Sequence, residues 1–176
     1  MVNAKFLGAT VALGLLASIA PGNPAAPIVP QAAASQSGAT LSAALFVNVA
    51  ASSALYSVKA ADIARARSRD RDVRALAKLQ RRNALGIAGQ LSFAGRRLNL
   101  LPRAELLPEH KAMLRSLRST PTFDHTYLQQ QRGFVPDALD FHRTYARRGD
   151  SPTLRPVAQM GAQLLEGQVR AIDRTD

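Results

Sequence analysis

Residues 120–145 read TPTFDHTYLQQQRGFVPDALDFHRTY. Two readings compete for this stretch, a metal site and a plain amphipathic helix. Phe123, Tyr127, Phe134, Phe141 and Tyr145 recur at steps of four and seven. That is the period of a helix burying one face, so the spacing predicts a long helix with an aromatic core stripe. Thr120-Pro121 opens it, and Gly149 after Arg147-Arg148 closes it. Pro136 lies inside the stretch and cannot donate to the carbonyl of Arg132, so a kink or break is predicted there.

The metal reading has less behind it. His125 and His142 would lie about 25 Å apart along one straight helix, too far for shared coordination. Asp124 and His125 are adjacent and so face different sides, and Asp140 does not share a face with His142. The third histidine, His110, lies in a separate short segment, and no His-x-x-x-His or Glu-x-x-His spacing occurs. The expectation is that all three histidines sit at the surface or cap helices.

Working outward, the chain stays helical from residue 41 onward, with no period-two run and no Asn-Gly or Asp-Gly hairpin signal. A first helix is predicted over 42–67, where Phe46, Val49, Ser53, Tyr56, Ala60 and Ile63 recur at helical steps among small residues. Asp70 is the expected N-cap of a second helix over 71–95. Its inner face carries Val73, Leu76, Gln80, Ala84, Ile87 and Leu91. Another face carries Arg71, Arg74, Lys78, Arg81 and Arg82. Gly86, Gly89 and Gly95 follow no strand, so they are read as helix-contact or helix-ending positions rather than a phosphate loop. A connection over 96–107 leads to Pro108, which opens a short helix to Leu117. Asp150 or Ser151 is expected to cap the last helix, with Pro152 near its start. Leu154, Val157, Gly161, Leu164, Gln168 and either Ala171 or Ile172 face inward. Four long amphipathic helices with one long middle connection predict an all-α four-helix bundle with an extra short helix.

The N-terminus reads differently. Phe6 to Ala20 is an uncharged apolar run after Lys5, the length of a signal-peptide core rather than a membrane span. Ala32-Ala33-Ala34 matches the small-x-small cleavage pattern. The expected organisation is a signal peptide over 1–34, a linker over 35–41 and a bundle over 42–176, with a retained leader anchor as the alternative. The expected address is periplasmic or extracellular, with outer-membrane association open and no transmembrane span in the mature form. The chain has no cysteine, which excludes thiolate catalysis, disulfides, cysteine zinc sites and a lipidated cysteine.

A formal net charge of +11 in 176 residues favours anionic partners such as lipid headgroups or lipopolysaccharide. No aromatic residue interleaves with the basic stripe of the second helix, so it offers no stacking platform for single-stranded nucleic acid. Export argues against nucleic acid as well. No G-x-S-x-G elbow is present, and no serine has an evident base partner. Gln80, Gln131 and Gln168, if inward, need hydrogen-bond partners, and Ser53, Ser57 and Asn83 are the candidates.

The segments FVNVAASSALYSVKAADIA (46–64), DVRALAK (72–78), EHKAMLRSL (109–117) and FDHTYLQQQ (123–131) together resemble a bacterial family. It is domain-of-unknown-function family 4142, labelled "predicted outer membrane protein". The resemblance spans roughly residues 44–173. It implies an exported ferritin-like bundle with no established activity. Its members usually carry a glutamate in the first helix, Asp-His pairs in the second and third, and a histidine in the fourth. Here those positions align with Ser57, with Asn83 and Ala84, with Phe134 and Val135, and with Gln168. None of these side chains replaces carboxylate or imidazole as a ligand for iron, manganese or zinc.

The combined expectation is a non-catalytic, metal-free binding or structural component of the cell envelope, without cofactor. The competing expectation is a divergent metal-binding bundle or oxidase with displaced ligands, built from His142, Asp137 and Glu166.

Overall fold

The computed structural model describes residues 40–175, so the expected leader and most of the expected linker lie outside the described residues. Five helices follow in order: α1 (Ala43–Arg67), α2 (Arg71–Arg97), α3 (Pro108–Ser119), α4 (Phe123–Arg148) and α5 (Arg155–Ile172). Among the described residues there is no strand, only an isolated bridge between Leu41 and Gly149. The class is all-α, as the helical periodicity predicts.

The contacts at the helix ends give the direction of each element. Leu41, just before α1, lies beside Gly149 at the end of α4. At the far end of α1, Arg67 donates to the carbonyls of Leu117, Arg118 and Thr120, where α3 passes into α4. Thus α1 runs down, α2 returns, and the segment 98–122 carries the chain back down through α3 before α4 rises and α5 descends. The four long helices are α1, α2, α4 and α5, and α2 and α4 run parallel. A single long crossover of this kind is the connectivity of ferritin-like bundles.

Local sequence explains each element. The Ser42 side chain caps α1 by accepting from Leu45 N–H at 3.2 Å. The buried side of α1 is largely alanine, Ala50, Ala54, Ala60, Ala61 and Ala64 among them, which lets α2 approach closely. By length and apolar composition α1 could cross a bilayer. In the bundle it packs against α2, α3 and α4. Asp70 caps α2 as expected, accepting from Asp72 and Val73 N–H at 2.7 and 3.1 Å. All six predicted inner residues of α2 are buried. α2 extends to Arg97, and Gly95 is required there. The carbonyl of Leu100 folds back so closely that a Cβ on residue 95 would lie 2.3 Å from it. Asn99 takes the left-handed backbone, φ 55°, to make that reversal.

Three expectations need correction here. First, of the kink or break expected at Pro136, the break does not occur, and α4 runs through that residue. Val135, Ala138 and Leu139 on either side are buried against neighbouring helices, and that packing outweighs a proline cost of about 3 kcal/mol. Second, Phe134 and Phe141 lie at the border of the α4 core stripe, half-buried, while Gln131, Val135, Ala138, Leu139 and His142 complete the buried face. Third, neither Asp150 nor Ser151 caps α5 with its side chain. α5 starts at Arg155, with Pro156 rather than Pro152 in its first turn. Asp150 Oδ1 accepts from Tyr145 OH at 2.9 Å, and the Ser151 carbonyl accepts from Leu154 and Arg155 N–H. Those bonds shape a turn ahead of the helix.

Candidate functional site

The middle of the bundle is polar. Tyr127 OH on α4 donates to Gln80 Oε1 on α2. Gln80 Nε2 donates to Gln131 Oε1 at 2.6 Å, and Gln131 Nε2 donates to Tyr56 OH on α1 at 3.2 Å. Tyr56 OH donates in turn to Gln130 Oε1 at 2.9 Å, and Gln130 Nε2 to the carbonyl of Met113 on α3 at 3.2 Å. The chain of donors runs in one direction and ends on a backbone acceptor. It ties four helices together without a charged group. Burial raises the pKa of both phenols above the ordinary tyrosine value, so they remain donors at neutral pH. A fully satisfied neutral network of this kind fixes helix register, because any slip would strand buried donors. Gln80 and Gln131 do face inward, but their partners are each other, Tyr127 and Tyr56 rather than Ser53, Ser57 or Asn83. Asn83 instead donates to the carbonyl of Leu164 at 3.0 Å.

Next to this network lies a small cavity. Ser57, Asn83, Ala84, Phe134 and Gln168, singled out above through the resemblance, all line it. Val135, the sixth, is fully buried but lies outside the lining. The room for a water-sized sphere is ≈ 10 Å³. His142 also lines it, which the spacing argument missed. His142 Nδ1 lies 2.9 Å from the carbonyl of Ala138. Its ring is seated against the backbone of α5 at Gly161, where a Cβ would come within 2.4 Å of Cδ2. Burial lowers the His142 pKa, and the bond to Ala138 offsets this only in part.

The expectation of surface or capping histidines therefore holds only for His125, which is exposed. His110 and His142 are buried, at 6% and 2% exposure. His110 Nδ1 lies 2.6 Å from Ser52 Oγ, which also accepts from Leu107 N–H at 2.8 Å. A serine thus does have a base partner, contrary to expectation. Ser52 is 1% exposed and its oxygen holds the start of α3 against α1, so the pair acts as a brace rather than a nucleophile. The His110 ring stacks on Tyr56 and meets the edge of Phe134, and burial lowers its pKa while neighbouring Glu109 opposes this. Its partner segment is 58 residues away in sequence, which is why no local motif revealed it.

The residues present do not suit a metal ion. The cavity lining contains one imidazole and no carboxylate. Among the described residues no three His, Asp or Glu side chains converge. Of the displaced set, His142 is buried, Asp137 is exposed, and Glu166 Oε1 is 2.8 Å from Arg143.

The predicted basic face of α2 is on the surface. Arg71, Arg74, Lys78 and Arg82 are exposed and Arg81 is half-exposed. Two of the five have internal duties. Arg81 Nε binds Asp62 at 2.9 Å, and Arg74 donates to the carbonyls of Arg65 and Ser68 at 3.1 and 3.3 Å. Arg71, Lys78 and Arg82 make no ion pair among the described residues. The fold adds cations that the α2 pattern alone does not show. The C-terminus of α3 brings Arg118 beside Arg67, and the segment after α5 brings Arg174 beside Asp72. Arg65, Arg69, Arg118 and Arg174 are all exposed at the same end of the bundle as Arg71.

The family model described as Domain of unknown function (DUF4142) matches residues 29–174, and the chain belongs to that family. Neither the curated proteins nor the solved structures gave a match.

Proposed function

We propose that this family member is a non-catalytic, metal-free bundle of the bacterial cell envelope that contacts anionic surfaces through the exposed basic face of α2 and the adjoining end of the bundle. The carrying observation is the set of exposed cations without ion-pair partners among the described residues, Arg71, Lys78 and Arg82 on α2. Arg69, Arg118 and Arg174 extend that set across the end of the bundle. The spread suits a charged plane of headgroup phosphates better than a narrow pocket, because the cations come from four separate segments: α2, the α1–α2 link, α3 and the residues after α5. Export, read from the apolar run of residues 6–20 and the Ala-rich stretch after it, supplies the compartment.

Retention on vesicles of anionic lipid, or on lipopolysaccharide, across a salt series tests the proposal. Binding is expected at low ionic strength and is expected to weaken as the screening length contracts to about 10 Å at 0.1 M salt. Absent binding, or binding indifferent to salt, rejects it. Metal analysis of untagged protein tests the metal-free part, and a stoichiometric transition metal overturns it.

A further inference from the structure

His142 Nε2 and Gln168 Nε2 are buried side-chain nitrogens with no hydrogen-bond partner among the described residues. Both residues are 2% exposed, sit on different helices, and line the same core cavity. The tautomer of His142 follows from its other bond. A carbonyl only accepts, so Nδ1 must carry the proton that goes to Ala138 O, and Nε2 presents a bare lone pair. The Gln168 amide nitrogen is a donor. The cavity therefore offers one acceptor and one donor that the protein leaves unserved, and native interiors rarely tolerate that.

The lining restricts what can serve them. No carboxylate is present to balance a cation, and no cationic side chain is present to balance an anion. Transferring a bare charge into such a site costs far more than its hydrogen bonds return. The space, ≈ 10 Å³ for a water-sized sphere, is at the lower limit for one water molecule and too small for an organic ligand. Ser53, Phe134 and Ala138 line both this cavity and an open groove of ≈ 460 Å³ between α1, α3 and α4. Phe134 is half-buried at that boundary.

We propose that the core cavity is a binding site for a single water molecule, which donates to His142 Nε2 and accepts from Gln168 Nε2. It bridges α4 and α5 through neutral hydrogen bonds.

A crystal structure of the chain at a resolution that shows ordered solvent tests this. One water is expected within about 2.7–3.2 Å of both nitrogens. A dry cavity, a water touching only one nitrogen, or a metal ion identified by anomalous scattering overturns the proposal. A double-mutant cycle of His142→Phe and Gln168→Leu gives a second readout. With a shared water, the two effects on the unfolding equilibrium constant deviate from additivity by more than about twofold. Additivity within about twofold counts against the shared bridge. Should His142→Phe fail to fold, the solvent structure of the unsubstituted chain decides alone.

Discussion

The centre of the bundle and its α1–α2 end are both polar, but in opposite ways. The centre holds Gln80, Gln131, Gln168, Asn83, Tyr56, Tyr127 and His142, all buried and none of them carboxylate, lysine or arginine. The end holds Arg65, Arg69, Arg71, Arg118 and Arg174, all exposed. In the centre, a buried donor or acceptor must find a partner or cost about 1–3 kcal/mol, so each side chain is constrained by the others. At the end, Arg65 pairs with Asp62 at 3.8 Å and the other cations are open to water, so single residues there contribute little to the fold. The same polarity that specifies structure in one place is free to act outward in the other.

The sharpest way to break the contrast is to crowd the centre. Gly161→Leu should lower stability by about 3 kcal/mol, read from the urea midpoint, because the new Cβ overlaps the His142 ring. A near-neutral result would mean that α5 is not closely packed on that ring. Gln80→Leu should cost about 2 kcal/mol, since it strands Tyr127 OH and Gln131 Oε1. Adding Gln131→Leu should cost less than the sum of the two single changes, because the groups stranded by the first are partly removed by the second.

Acidification is the next test. Burial holds His110 and His142 below the ordinary histidine pKa of about 6.5, so below that pH the unfolded chain binds more protons than the folded one. Stability should be full above about pH 6.5 and fall as the pH drops, with a slope of at most about 1.4 kcal/mol per pH unit for each histidine. His142→Gln should flatten the denaturation profile, and an unchanged slope would exclude His142 as a contributor. At the opposite extreme, Lys78→Ala or Arg82→Ala should change stability by no more than about 0.5 kcal/mol in the same assay.

The two regions were not equally legible in the sequence. The basic stripe of α2 was read from spacing alone, and all of it is at the surface, because charged residues on one helix face have few places to go. The six residues read as its inner face are all buried, while Ala77, Asn83, Ala94 and Gly95 join them there. The centre was read in part. Gln80, Gln131 and Gln168 were recognisable as inward because they fall on apolar faces. Their partners were not, because Tyr56 and Tyr127 count as hydrophobic in a periodicity argument while their hydroxyls do the bonding. His142 is expected at the surface or at a cap because no ligand partner falls at a workable spacing, although it lies seven residues after Val135 on the same buried face. His110 was hidden because its partner Ser52 comes from a distant helix. The added cations Arg118 and Arg174 depend on where α3 and α5 end in space, which no single-helix pattern contains.

The account stands or falls on whether the charged end acts outward while the centre keeps the fold. The measurement that addresses this most directly is retention on anionic vesicles of the variant carrying Arg71→Gln, Lys78→Gln and Arg82→Gln, at low and at physiological salt. The account predicts an unfolding midpoint close to that of the unsubstituted chain together with a marked loss of salt-sensitive retention. Retention equal to that of the unsubstituted chain at both salt concentrations would contradict it.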